Sequence, residues 1–265
     1  STPLYSSAAS DVYKRQMLGL WLNIEPDNKK ALAEKKTVYA KLGKDENDIN
    51  RERWNADKSN IQYGLDYAQG LIDKDESELA IKVCKELLAF DSNNPRLLKV
   101  ISDAYVNTYE EKKALEYLEK LANIDSKNTN TLLEVSEVCT NAGEFKKGYN
   151  WSNKAIAVNK SLGKCYFQRA ELLVALVETN MGDEIDFCDR LVYDLAWEDY
   201  NSSYDNGYLN AKVFRDQLDD FTSTKGDWFL NAENNSSISP SSIDCLTLKG
   251  TNCYSWLERK VNSKR

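Results

Sequence analysis

The chain has 265 residues, a formal net charge of −7 and no histidine. Without imidazole, nucleophile systems of the Ser-His-Asp or Cys-His type and histidine-dependent zinc or iron sites are excluded, while the acidic balance disfavours nucleic-acid binding. With 4 prolines and 11 glycines, the composition favours long helices, and no apolar run approaches the roughly 20 residues needed to span a bilayer.

Residues 1–16 differ in character from the rest of the chain. Residues 6–16 read SSAASDVYKRQ and resemble the in-frame translation of a transposon adaptor used in sequencing libraries. Such a segment is excluded from fold prediction. We therefore expect residues 1–16 to be non-native and the natural protein to continue upstream of Met17. A signal peptide would be lost with that upstream part, so its presence stays open.

Residues 17–60 are predicted to be a degenerate repeat. Residues 29–43 (KKALAEKKTVYAKLG) have the apolar spacing of one amphipathic helix that ends at Gly43. Residues 44–60 follow as a polar second half. The preceding segment, LNIEPDN at residues 22–28, has the composition of a turn that closes an earlier repeat.

Residues 61–162 repeat one pattern three times with a period of 34 residues. The segment at residues 79–95 (LAIKVCKELLAFDSNNP) returns at residues 113–129 as KALEYLEKLANIDSKNT, and a third copy starts at Lys147. The matched positions are Ala80 and Ala114, Leu87 and Leu121, Asp91 and Asp125, Ser92 and Ser126, and Asn94 and Asn128. Small residues also recur in the preceding helices, at Ala68, Ser102 and Ser136.

This pattern resembles the tetratricopeptide repeat, which places large, small and turn residues at the same period. Ala or Ser replaces the usual Gly, and Ser92 and Ser126 replace the closing Pro, which only Pro26 retains. The resemblance implies an all-α solenoid of stacked helix hairpins. The physical reading agrees with it, because one hairpin cannot bury the apolar stripe of its second helix without a neighbour.

Residues 163–222 are predicted to form a fourth repeat and a capping helix. Its small residues Ala170 and Ala196 lie 26 residues apart, against 12 between Ser102 and Ala114. About fourteen residues are therefore inserted between its two helices, and such insertions usually lie on one face of a solenoid. The segment AKVFRDQLDDF, from Ala211, is predicted to cap the stack.

Residues 223–265 are predicted to be an irregular tail with two cysteines. Cys245 and Cys253 bracket a turn at Lys249-Gly250, and a disulfide between them is as well supported as two free thiols. A disulfide would indicate an oxidising compartment. Of the other cysteines, Cys84 and Cys139 fall on core positions, and Cys165 and Cys188 are expected to be free. Trp228 and Trp256 are expected to anchor the tail.

No motif in the chain predicts catalysis or a cofactor. The acidic segment at residues 73–78 lacks the glycine and the bidentate glutamate of an EF-hand, and no phosphate-binding glycine motif occurs. Two cysteines without histidine make a poor metal site. The acids of DEID (residues 183–186) and WEDY (residues 197–200) are expected to be solvated. We therefore predict no catalytic residues, no metal and no cofactor.

The resemblance also implies where a partner would bind, because the first helices of tetratricopeptide arrays line a concave groove. The outward positions here are Gln62, Leu65, Gln69, Arg96, Lys99, Asp103, Asn130, Leu133, Glu137, Lys164, Phe167 and Glu171. The family's Lys/Asn/Arg carboxylate clamp is not reproduced. A row formed by Asp103, Glu137 and Glu171 replaces it, which would select a basic or hydroxyl-rich protein segment, although an ordinary solvated face explains it equally well.

The leading functional hypothesis is a non-catalytic scaffold that holds a protein segment. The alternative is an envelope glycan- or solute-binding protein that uses Tyr166, Phe167 and Trp197 as a platform, because similar helices occur in bacterial outer-membrane carbohydrate-binding proteins. An enzyme acting through the acidic insertion is a third and weaker hypothesis. The tail CYSWLERKV resembles tails of exported bacterial repeat proteins, which favours the cell envelope.

Overall fold

The computed structural model describes residues 4–232, 245–247 and 254–262 of the chain. Most of these residues are helical, and consecutive helices pack as hairpins, so the fold is the predicted all-α solenoid. The chain forms two compact units, Ser1–Glu110 and Glu111–Arg265.

The first unit contains six helices among its described residues. They are α1 (Leu4–Ile24), α2 (Lys29–Lys41), α3 (Glu46–Ala56), α4 (Ile61–Ile72), α5 (Ser77–Leu88) and α6 (Pro95–Asn107). In repeat terms, α4 and α6 are first helices and α5 is a second helix.

The second unit holds α7 (Glu111–Ile124), α8 (Thr129–Asn141), α9 (Phe145–Val158), α10 (Gly163–Asn180), α11 (Phe187–Asp205), α12 (Ala211–Gln217) and α13 (Lys225–Ala232). Its first helices are α8 and α10. A short antiparallel pair follows, β1 (Cys245–Thr247) with β2 (Lys260–Asn262), in which Leu246 is opposite Val261. The sequence did not predict α13 or this strand pair.

The repeat fixes both ends of the first helices α4, α6 and α8, but not of α10, whose N-cap Leu162 makes no side-chain hydrogen bond. Asn28, Asn60, Asn94 and Asn128 are the N-caps of α2, α4, α6 and α8, and each side-chain oxygen accepts a hydrogen bond from the first turn. This satisfies backbone N–H groups that have no partner within the helix. After the first helices, Asp75, Tyr109 and Gly143 occupy one repeat position with φ of 61°, 57° and 73°.

The predicted small residues lie at the contacts between helices. Ala80 and Ala114 are fully buried, as are all four small residues of the first helices. A Cβ atom added to Gly148 would lie 2.8 Å from Leu172 Cδ1 and 3.0 Å from the Ser136 carbonyl oxygen. A larger side chain at these positions would therefore force the helices apart, as the sequence pattern predicted.

The fourth hairpin differs from the expectation. The extra residues do not form a long loop; they lengthen α10 to 18 residues and α11 to 19 residues. Only residues 181–186 connect the two helices. The reason is that the apolar spacing continues to Val177 in α10 and starts again at Phe187, so both added turns find buried contacts.

Candidate partner-binding surface

In the first unit, the polar side chains of the predicted surface have partners within the chain. Gln62, Gln69 and Arg96 are exposed, and Arg96 Nη1 donates a hydrogen bond of 2.6 Å to Gln62 Oε1. Lys99 forms an ion pair with Asp103 one turn further along α6. Since Asp103 already has this cation beside it, its negative charge is partly neutralised within the chain.

Two of the predicted contact residues are not on the surface. Leu65 and Leu133 were expected to point outward, but both are buried. Each lies three residues before a buried small residue, Ala68 or Ser136, and therefore on the same face of its helix. Their outward assignment was wrong, and they belong to the core.

In the second unit, three of the predicted side chains are exposed on the first helices. Asn130 and Glu137 lie on α8, and Lys164 lies on the first turn of α10. Within the part of the chain that the structure describes, none of the three forms an ion pair or a side-chain hydrogen bond. Beneath them is a fully buried layer that includes Leu132, Val135 and Ser136. These polar groups thus lie exposed to solvent above a fully buried layer.

Glu171 has a different role from the one its position suggested. It is half-buried and accepts a hydrogen bond from the Tyr200 hydroxyl group of α11. Burial and then this carboxylate raise the pKa of Tyr200 far above its ordinary value, so the phenol stays protonated and keeps donating. Glu171 therefore ties α10 to α11, and the predicted acid row is reduced in this unit to Glu137.

The aromatic residues of the predicted platform already make contacts and hydrogen bonds with other residues of the chain. Phe167 contacts three rings, those of Tyr200, Tyr208 and Phe214, with centroid distances between 4.8 and 5.5 Å. Arg215 lies over the Trp197 ring, whose indole N–H donates to Asp219 at 2.9 Å. The Tyr166 hydroxyl group donates to the Lys160 carbonyl group at 3.0 Å. These three side chains therefore do not form one open stacking surface.

The sequence analysis missed a buried ion network in the second unit. Asp199 of the WEDY segment, expected to be solvated, is almost completely buried. Its two carboxylate oxygens accept two hydrogen bonds of 2.7 Å from Arg169 of α10. Arg259 of the tail adds a third, also at 2.7 Å. Burial alone would raise the pKa of Asp199, but the two guanidinium charges hold that pKa below its ordinary value.

The network anchors the tail, together with aromatic contacts. The Tyr254 hydroxyl group donates to Asp189 Oδ1 at 2.6 Å, and Trp256 packs edge-on against Tyr149 at 5.7 Å. Leu257 and Val261 are buried in the same core. Trp228 of α13 is also buried and packs against Phe187. Both tryptophans thus anchor the C-terminal region, as predicted.

The cysteines follow the prediction in part. Cys84, Cys139 and Cys165 are free and buried, and burial raises the pKa of the Cys84 and Cys139 thiols to about 12. Cys188, expected to be free, is disulfide-bonded. The cysteines left in the sequence to pair with it are Cys245 and Cys253, whose side chains lie outside the described residues. The predicted bond between those two cysteines is therefore not supported.

Neither a metal-binding cluster nor a membrane-spanning helix is found in the described ranges. Within residues 4–232, 245–247 and 254–262, no group of His, Cys, Asp or Glu side chains is arranged to hold a metal ion. No helix of these ranges is both long enough and apolar enough to cross a bilayer.

Similarity to known proteins is confined to the fold. The chain matches no protein-family model and no curated protein sequence. Among solved structures, the MamA RS-1 ArsTM double mutant is 12% identical, with a TM-score of 0.53 over 69% of this chain and 97% of that one. MamA MSR-1 C2 is 14% identical, with a TM-score of 0.50 over 76% and 98%.

A third structure is YrrB, described as a TPR protein with an unusual peptide-binding site. It is 14% identical and has a TM-score of 0.49 over 80% of this chain and 100% of YrrB, which is too distant to support an inference. The two MamA structures agree with the all-α solenoid architecture derived above, and at these identities they show the fold alone.

Proposed function

We propose that this chain is a non-catalytic scaffold that binds a segment of a partner protein on the exposed faces of its first helices. The observation that carries the proposal is the uncommitted polar surface of the second unit, where Asn130, Glu137 and Lys164 are exposed above a buried layer. A rigid base lets such groups select a partner without a conformational change in the scaffold.

The chemistry of this surface favours a segment that offers both a cation and hydroxyl or amide groups. Glu137 supplies a free carboxylate, Asn130 supplies a donor and an acceptor, and Lys164 sets a cation at one end of α10. A basic, hydroxyl-rich peptide would pair with Glu137 and be oriented by repulsion from Lys164. Solvent-exposed charges contribute little affinity individually, so we expect weak, salt-sensitive binding.

The test is an array of peptides of equal length that vary in net charge and serine content, probed with the complete chain. We expect basic, serine-containing peptides to bind best. Glu137→Lys should weaken that binding by about three- to tenfold. Glu116→Lys is the matched control, because Glu116 is an exposed acid on the second helix α7, and it should change little.

Equal binding by the wild type and Glu137→Lys would contradict the proposal. Glu171 is unsuitable for charge reversal, since Lys at that position would also remove the hydrogen bond from Tyr200. Glu171→Gln keeps an acceptor for Tyr200 while it removes the charge, and we expect it to leave peptide binding unchanged.

A further inference from the structure

Residues 254–259 of the tail run along α11 in one direction. The Tyr254 hydroxyl group donates to Asp189 Oδ1 at 2.6 Å, in the first turn of that helix. Further along the tail, Arg259 Nη1 donates to Asp199 Oδ2 at 2.7 Å, in the second half of the helix. The tail therefore starts beside the N-terminal end of α11 and proceeds towards its C-terminal half.

Cys188 lies at the end of α11 where this path begins. It directly precedes Asp189, packs against the same core as Tyr254, and is disulfide-bonded. Three of the six cysteines are free and buried. The bond of Cys188 therefore leads to Cys245 or Cys253, and the described neighbours of these two cysteines distinguish between them.

Cys245 is placed at the other end of the path. Its backbone is opposite that of Asn262 in the strand pair, and the Asn262 side chain lies beside Glu198. From the rise per residue of an α-helix, Glu198 is about 15 Å from Cys188 along α11. The Cα atoms of two bonded cysteines are only about 5.5–6 Å apart. The register of β1 against β2 thus sets Cys245 away from Cys188.

Cys253 has its described neighbour at the right end of α11. It directly precedes Tyr254 in the chain, just as Cys188 directly precedes Asp189. The hydrogen bond between Tyr254 and Asp189 therefore joins the immediate neighbours of the two cysteines. Cys253 itself lies outside the described residues. Because consecutive Cα atoms are about 3.8 Å apart, it is within reach of Cys188 while Tyr254 keeps its contact.

We propose that Cys188 and Cys253 form a disulfide that fastens the tail to α11 as a redox-sensitive strap over the core of the second unit. Trp256, Leu257 and Val261 pack on that core immediately after the strap begins. A bond that keeps the start of the tail beside α11 lowers the entropy cost of docking these side chains. The strap is separate from the first-helix surface of the proposed function.

Reduction by a dithiol would open the strap. A thiolate of the reagent attacks one sulfur of the protein disulfide to form a mixed disulfide, and the second thiol of the reagent then displaces the protein sulfur. The reagent loses two electrons and becomes a cyclic disulfide, while its two thiol protons end on the thiols of Cys188 and Cys253. Closing the strap requires a small-molecule disulfide that accepts the same two electrons.

The first test is a peptide map of the complete chain, purified without reductant and denatured in an alkylating reagent before digestion. Trypsin places the three cysteines in separate peptides, which are residues 170–190 with Cys188, residues 226–249 with Cys245 and residues 250–259 with Cys253. Mass spectrometry should find the Cys188 peptide bonded to the Cys253 peptide. A bond from Cys245 to either of the others, or an alkylated Cys188, would overturn the assignment.

The second test compares backbone hydrogen exchange of residues 254–259 before and after reduction by a dithiol. We expect exchange in the wild type to become about tenfold faster or more, because the tail then opens without a covalent tether. Cys245→Ser is the matched control and should respond like the wild type. Cys253→Ser should exchange rapidly with or without the dithiol. Unchanged exchange in the reduced wild type, or a Cys245→Ser chain that exchanges like Cys253→Ser, would overturn the strap.

Discussion

The beginning of the first unit and the end of the second unit differ in whether the apolar face of the outermost helices is covered. Each hairpin needs a neighbour to cover its apolar face. On α1 that face is open, with Met17, Trp21 and Ile24 exposed. In the second unit, the tail lies on α9 and α11 with Trp256, Leu257 and Val261 against the core.

In the second unit, a segment outside the repeat therefore supplies the cover that the last hairpin needs. The tail combines apolar burial with the ion pairs of Arg259 to Asp199 and Glu198.

The largest expected effect compares equivalent positions on α5 and α1, because the caps Asn28 of α2 and Asn94 of α6 align Trp21 with Leu87. Leu87→Ala should lower the free energy of unfolding by about 2–5 kcal/mol, because Leu87 is fully buried against α4. Trp21→Ala should lower it by less, about 1–2 kcal/mol, since Trp21 is 37% exposed. Urea unfolding followed by circular dichroism measures both. Similar losses in the two variants would contradict the open face.

Breaking the ion pair between Arg259 and Asp199 should destabilise the packing of the tail on the second unit. Arg259→Ala leaves the buried Asp199 with Arg169 as its remaining cationic partner among the described residues. We expect unfolding free energy to fall by about 2–3 kcal/mol, somewhat below the value for fully buried pairs because Arg259 is partly exposed. Lys260→Ala is the control, since Lys260 is exposed on β2, and it should stay within about 0.5 kcal/mol of wild type. If both substitutions lowered the unfolding free energy equally, the ion pair of Arg259 would not be what stabilises the tail.

Low pH should weaken the contact between the tail and the second unit, because protonation of Asp199 removes the charge that Arg259 pairs with. The pKa of Asp199 in the folded chain is below its unfolded value of about 3.9. Its contribution to stability is therefore complete above that unfolded value and is lost as pH falls through the folded pKa. Near-ultraviolet circular dichroism should report a change at Trp256 in this acidic range. In Asp199→Asn that step should be missing, and its persistence would assign the transition to another group.

The smallest expected effect is a gain in stability from a backbone change. Tyr109 is exposed and has a φ of 57°, a conformation that glycine adopts without strain. Tyr109→Gly should raise the free energy of unfolding by about 0.5–1 kcal/mol. Gly143→Ala at the same repeat position should lower it by about the same amount. A loss of stability in Tyr109→Gly would show that the tyrosine ring makes a stabilising contact.

The sequence predicted the repeated part of the fold because local rules and packing agree there. Asn94 and Asn128 are turn and cap residues at one spacing, and the small residues at Ala80 and Ala114 are buried at helix contacts. The site was predicted less well. Leu133 and Glu171 were assigned to the partner-binding surface from their repeat positions alone. A repeat position does not show whether a neighbouring helix buries a side chain, as for Leu133, or forms a hydrogen bond with it, as for Glu171.

The contacts of the tail could not be predicted from the sequence, because they join residues that are far apart in the chain. Arg259 meets Asp199 at a separation of 60 residues, and Tyr254 meets Asp189 at 65. No periodicity links these positions. The acid of the WEDY segment looked like any solvated carboxylate, and only the packing of α10 and the tail shows that Asp199 is buried between two arginines.

The most direct test of the register is the rate at which a thiol reagent labels a cysteine placed at equivalent positions of α1 and α5. The two positions compared, Met17→Cys and Val83→Cys, differ in exposure, since Met17 is 47% exposed and Val83 is 7% exposed. The native Cys84 and Cys139 provide buried references, with the pKa of both thiols raised to about 12. We predict that the thiol at position 17 reacts at least tenfold faster than that at position 83 in the folded chain. Equal rates would contradict the account.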